Sequence, residues 1–144
     1  MTASETTTAA PVTCDPSLKK RAFSVVKRAK SFTHAGRGIW VFMRTTHNAW
    51  LHAAILLGAV ALGFYFGITR IEWLFIILAA GLVMTAEAFN TAIEVDIDLT
   101  SPEYHPFAKD TKDVAAGAVL ISAITAAIIG LVIFVPYFLA LLAG

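Results

Sequence analysis

Three long apolar stretches dominate the chain. The first runs from Leu51 to Ile68 without a charge, and Thr69-Arg70 then punctuates it. The second begins at Trp73, meets Glu87, and keeps a helical composition to Val95. The third runs from Val114 to Val135, with Pro136 near its end. A helix rising about 1.5 Å per residue needs ~20 apolar residues to cross ~30 Å of hydrocarbon. All three stretches qualify once the second is allowed its acids. The expected fold class is all-α and integral to a membrane, with spans at about 51–68, 73–95 and 114–135. A very short turn joins the first two spans, and a polar stretch from Asp96 to Asp113 joins the second and third.

Ahead of the spans, residues 17–45 interleave Lys and Arg with Phe23, Val25, Val26, Phe32, Ile39, Trp40, Val41 and Phe42. The spacing is roughly helical and predicts an N-terminal amphipathic surface helix, with a break at Gly36 and Gly38. Residues 1–16, rich in Thr, Ala and Ser, have no periodicity and read as a disordered N-terminus. No basic segment among them leads straight into an apolar one, so they do not read as a signal peptide. Residues 17–144 then form a single membrane domain. Gly63 and Gly67 make a GxxxG pair, and Ala115 to Ala118 form a small-residue run. Both permit close helix approach. Three spans make a thin bundle for the polar groups inside them, which points to a homo-oligomer.

Composition narrows the function classes. Apolar residues make up 58% and charged residues 15%, with a mean hydropathy of +0.73. Those values exclude a disordered chain, a coiled coil and an ordinary nucleic-acid-binding domain, so no nucleic-acid partner is expected. Cys14 is the single cysteine, which excludes an internal disulfide framework and a Cys-based zinc site. The net charge of +1 is unevenly divided. Residues 1–50 hold Lys19, Lys20, Arg21, Lys27, Arg28, Lys30, Arg37 and Arg44 against Glu5 and Asp15. The basic excess places the N-terminus and the Asp96–Asp113 stretch on the cytoplasmic side of the membrane. The Arg70 turn and the C-terminus then face out.

The candidate chemistry lies in the second span. At 100° per residue, Glu94 and Asp98 fall within about 20° of Glu87, with Asn90 and Thr91 flanking them. The other face carries Ala88, Ala92 and Val95. Entering at Trp73, the helix places Glu87 roughly 21 Å along the ~30 Å core and Glu94 about 10 Å further, at the boundary. An acid inside a span costs several kcal/mol and marks a functional candidate. Carboxylates at the water–lipid boundary suit Mg²⁺, a hard cation that keeps substrate phosphates among its ligands. A deeper, partly desolvated Glu suits a general base acting on a hydroxyl at headgroup depth. Lys109, Asp110, Lys112 and Asp113 add cations and further acids. This is an inventory for phosphoryl transfer from a nucleotide to a lipid alcohol. Neither GxxxxGK[ST] nor GxGxxG is present, which excludes a P-loop or protein-kinase-like site. A proton relay would explain Glu87 but not the Lys109–Asp113 cluster.

The run Glu87-Ala-Phe-Asn90-Thr-Ala-Ile-Glu94-Val-Asp-Ile-Asp98 resembles the E-x-x-N-[ST]-A-I-E-x-x-x-D signature of the small prokaryotic diacylglycerol and undecaprenol kinases. Ser101 to Pro106 and Ala108 to Leu120 resemble that family's loop and third-span entry, and the likeness runs from Lys27 to Pro136. The resemblance implies a surface helix, three transmembrane helices and a homotrimer with composite sites between neighbouring subunits. It implies ATP and Mg²⁺ as cofactors, a membrane lipid as substrate, and a bacterial inner-membrane location with a cytoplasmic active site. By resemblance, Glu87 is the catalytic base and contacts the lipid, Asn90 is its polar partner, and Glu94 is a metal ligand. Lys27, His34, Glu94, Glu103, Tyr104, His105, Lys112 and Asp113 correspond to nucleotide contacts, and Asn48 and Trp50 are assigned to the substrate side.

One departure matters. Thr46 stands where the family carries a second metal-binding Glu, so that position offers an oxygen without a charge. Three explanations stay open: Asp113 or Glu103 compensates, His47 or His52 rearranges the site although His is a poor Mg²⁺ ligand, or activity is weak. The bland reading of His47, Asn48 and His52 is interfacial snorkelling around Trp50. Thr46 also keeps alive a different class of function, a non-catalytic membrane protein that retains the fold and binds nucleotide or lipid.

Overall fold

The computed structural model describes the backbone of residues 25–143 and side chains from residue 29 onward. The segment expected to be disordered, 1–16, lies outside the described residues, as does the side chain of Lys27. The chain forms four helices: α1 (Val25–Thr45), α2 (His47–Phe66), α3 (Arg70–Thr100) and α4 (Pro106–Ala143). The last three are each long and apolar enough to cross a membrane.

Local chemistry explains the helix ends. Gly67 terminates α2 in the left-handed conformation (φ 63°), open to glycine at little cost, and Ile68 N–H turns back to the Gly63 carbonyl at 3.1 Å. Two residues later Thr69 caps α3. Its hydroxyl accepts from Glu72 N–H, and Glu72 Oε2 accepts from Thr69 N–H at 2.7 Å, closing a capping box. Pro106 opens α4, where its missing N–H has no partner to lose.

Three expectations change. First, α1 runs unbroken through Gly36 and Gly38. Each glycine weakens a helix by roughly 1 kcal/mol, which the flanking residues absorb without a break. Second, the polar stretch from Asp96 to Asp113 is mostly helical: α3 continues to Thr100 and α4 starts at Pro106, leaving five residues between them. Charged side chains do not stop a helix that has emerged into water. Third, α4 continues through Pro136 to Ala143, because helices in lipid tolerate an internal proline when neighbouring residues re-satisfy the freed carbonyl.

The α3–α4 pair makes the most extensive helix contact, α2 packs against α3, and α1 rests on α2. The compact core sits at the end carrying the Thr69 turn, where Ile68, Ile76, Ile133 and Phe134 are buried with Phe66, Trp73 and Tyr137 around them. Phe66 stacks on Tyr137 at 5.5 Å and meets Phe138 edge-on at 4.9 Å. Tyr137 donates its hydroxyl to Glu72 Oε2 at 3.0 Å, locking α4 to the α3 cap. The outer faces carry Leu57, Phe64, Leu78 and Leu142 exposed, a surface suited to hydrocarbon and not to water.

The two glycines of the GxxxG pair do different jobs. Gly67 ends a helix, while Gly63 is buried under the Trp73 ring. A Cβ at Gly63 would lie 2.8 Å from that ring, whereas one at Gly58 would meet nothing within 4 Å. Gly63→Ala is therefore expected to lose about 1–3 kcal/mol through overpacking. Gly58→Ala should be neutral or gain up to about 1 kcal/mol from helix propensity. Thermal unfolding of the two variants in micelles checks the contrast.

Candidate active site

At the opposite end the bundle opens. A cleft of about 790 Å³ lies between α3 and the α1–α2 junction. The helical period brings Glu87, Asn90, Thr91, Glu94 and Asp98 of α3 to one wall, but Ala88, Ala92 and Val95, expected on the other face, line the same cleft, which spans more of the helix than the stripe. The junction supplies Thr46, His47 and Asn48, and α1 supplies Gly38, Val41, Phe42 and Thr45.

Glu87 is the most deeply buried acid among the described residues, at 1% exposure, and its Oε1 has no hydrogen-bond partner. Asn90, one turn on, is 7% exposed. Its amide donates to Glu94 Oε1 at 3.0 Å, while its own carbonyl oxygen is unpartnered. Buried polar atoms are nearly always paired, so two orphaned oxygens beside one cleft mark a place where something else supplies the partner. Leaving one such group unmet costs about 1–3 kcal/mol, and more when it is charged. Thr46 Oγ1 lies 3.0 Å from Thr91 Oγ1, and Thr91 donates to the Glu87 carbonyl at 2.9 Å.

The oxygen-only donor set of Glu87, Asn90 and Glu94 fits a hard cation such as Mg²⁺. Among the described residues no group of three or more His, Cys, Asp or Glu gathers as a ready-made cage. Mg²⁺ commonly needs only one or two carboxylates when substrate phosphates complete its shell, so the donors present are compatible with it.

The other predicted site residues sit apart. Asn48 lines the cleft, but Trp50 is 62% exposed outside it. His34 is exposed on α1 and does not line the cleft. Glu103, Tyr104 and His105 are exposed on the α3–α4 loop, with His105 beside the Phe107 ring at 5.6 Å. Lys112 pairs with Asp98 at the cleft rim, and Asp113 pairs with Lys109 at 2.7 Å. None of these loop and α4 residues lines the cleft. His52 faces a second, apolar cavity of about 450 Å³ between α2, α3 and α4, beside Met84 and Val83. The α1 wall was missed by sequence reasoning, although Gly38, Phe42 and Thr45 recur at i, i+4 and i+7, the spacing of one helix face.

Residues 33–134 match the family described as prokaryotic diacylglycerol kinase. The chain belongs to that family. It is 48% identical over 107 residues to the undecaprenol kinase of Bacillus subtilis, covering 74% of this chain and 87% of that protein. It is 35% identical over 127 residues to a diacylglycerol kinase of Synechocystis, covering 87% and 73% respectively. A diacylglycerol kinase of Helicobacter pylori is 30% identical over 109 residues, covering 71% of this chain and 85% of that protein. The matched segment contains every cleft residue named above, while Lys27 precedes it.

The Lys112–Asp98 pair is exposed on the Asp98 side, where a single ion pair contributes about 0–1 kcal/mol. Lys112→Ala is accordingly expected to shift unfolding by no more than about 1 kcal/mol. A larger loss by calorimetry in micelles would make Lys112 a structural staple of the α3–α4 loop.

Proposed function

We propose that this chain is an ATP- and Mg²⁺-dependent kinase that phosphorylates a lipid alcohol at the cytoplasmic face of the bacterial inner membrane. The observation that carries the reading is Glu87: a carboxyl group buried among spanning helices, one oxygen unpartnered, at the wall of an open cleft. Such a group suits a base that receives the proton of an acceptor hydroxyl as its oxygen bonds to the γ-phosphorus and the bond to ADP breaks. Asn90 holds Glu94 in place through its amide, and its own carbonyl oxygen is buried without a partner. Glu94 would hold Mg²⁺ together with the nucleotide phosphates. When bound, the ion neutralises phosphate charge. The rest is positioning, which phosphoryl transfer chiefly requires.

The basic N-terminal half supports the cytoplasmic assignment. Assembly as a homotrimer is part of the proposal. Glu103, Tyr104, His105, Lys112 and Asp113 lie outside their own subunit's cleft, so a neighbouring copy is the natural source of nucleotide contacts, alongside Lys27 and His34. Asn48 would meet the acceptor headgroup, with Trp50 at the lipid boundary. Undecaprenol is the favoured acceptor over diacylglycerol, on the higher identity to an undecaprenol kinase. The rival, a non-catalytic fold relative, draws on Thr46 and on the lack of a three-ligand cluster among the described residues.

Transfer of labelled phosphate from ATP·Mg²⁺ by the purified protein in mixed micelles decides between them, with each lipid offered separately. Undecaprenol is expected to be labelled, chelation of divalent cations to abolish labelling, and Glu87→Gln to lower it at least a thousandfold while ATP still binds. No label on either lipid from folded, oligomeric protein would move the weight to a different lipid alcohol or to the rival. Turnover by Glu87→Gln close to wild type would remove Glu87 as the base.

A further inference from the structure

We propose that Thr46 and Thr91 are positioning residues for Glu87, joined in a hydroxyl chain that pins the pivot of the surface helix to the helix carrying the acid. Thr46 is the one residue outside helix between α1 and α2, with an extended backbone at φ −99° and ψ 109°. A threonine at a helix N-terminus ordinarily turns its hydroxyl onto that helix's own first N–H groups. Thr46 makes no such cap. Its hydroxyl instead lies 3.0 Å from that of Thr91, a residue 45 positions away on α3.

The direction of the chain follows from hydrogen counting. A hydroxyl has one hydrogen to donate. Thr91 gives its own to the Glu87 carbonyl at 2.9 Å, so the hydrogen between the two threonines comes from Thr46. The relay therefore runs Thr46, Thr91, Glu87 carbonyl, and both side chains are half-buried. Its position gives it leverage. α1 rests on α2, while the cleft lies between α1 and α3. Both threonines line that cleft, with Thr91 within one turn of Glu87 and Asn90, so the tie sets how far the α1 wall stands from the acid. A displacement of about 1 Å at such a point is enough to lower turnover severalfold or more. Sacrificing a helix cap for a cross-helix tie makes physical sense where the tie orients reacting groups.

The inference rests on the reading of Glu87 as the group that meets the acceptor hydroxyl. The experiment uses the full chain in mixed micelles, with Thr46→Val, Thr91→Val, the double Val variant, and Thr46→Ser and Thr91→Ser as hydroxyl-retaining partners. Two readouts are taken: steady-state transfer to undecaprenol, and amide hydrogen exchange of the segment 42–49. Each Val variant is expected to lose about tenfold in kcat, the scale of one hydrogen bond, with KM for ATP within twofold. The Ser variants should recover to within about threefold, and the double variant should be no worse than either single, since both cut one chain. Exchange across 42–49 should quicken about tenfold in the Val variants alone. Wild-type kcat in both Val variants, or losses that multiply in the double variant, would overturn the proposal. If the unmodified protein labels no lipid, the Glu87 reading falls and the positioning role falls with it. The exchange data then decide separately whether the tie exists.

Discussion

Everything at the open end of this molecule is arranged around one unfavourable act, the burial of Glu87. A carboxyl group inside a spanning helix is expensive, and its Oε1 is left unpaired. Nearby residues keep the helix intact around it. Thr91 binds the Glu87 carbonyl, and Asn90 bonds forward to Glu94, so the polar groups brace the backbone and one another. None of them hydrogen-bonds the free carboxyl oxygen. An unmet buried oxygen of this kind persists only where the surrounding structure holds it in place, and it calls for an explanation such as a binding site.

That support lies at the far end. There the chain closes a tight turn with Gly67 and Thr69, and the aromatic rings of Phe66, Trp73 and Tyr137 pack around Ile68, Ile76, Ile133 and Phe134. Tyr137 reaches the capping carboxylate of Glu72, so one oxygen serves both the helix cap and the tie to α4. One end of the bundle is thus closed, capped and apolar, and the other open, polar and incompletely paired. A rigid scaffold at one end lets the other keep the gaps that binding requires.

The division extends to charge. The α3 wall of the cleft carries acids and an amide, while Lys112 is occupied at the rim by Asp98. A phosphate-rich ligand entering such a cleft would meet negative charge unless cations arrive with it or from a neighbour. A metal-bound nucleotide and a second copy of the chain each answer that requirement, and this electrostatic deficit links the proposed cofactor to the proposed assembly.

Much of this was legible in the sequence, because lipid imposes simple rules. A spanning segment must be long, apolar and helical, so three spans follow from the hydropathy pattern. The helical period alone puts Glu87, Asn90, Thr91, Glu94 and Asp98 along one stripe, and all five line the cleft, together with Ala88, Ala92 and Val95 from the face expected to lie away from it. The pattern did not reveal that α1 passes through Gly36 and Gly38, that α3 extends to Thr100, or that Pro136 leaves α4 whole. Those outcomes turn on local helix energetics that the hydropathy period does not contain. Nor could it show that Thr46 forgoes its cap for Thr91, that Lys112 reaches Asp98, or that Gly38, Phe42 and Thr45 wall the cleft. Residue spacing along a chain determines which side chains share a helix face. Which faces meet, and which buried oxygens are left without a partner, depends on how separate helices come together in three dimensions, and only the tertiary structure decided that.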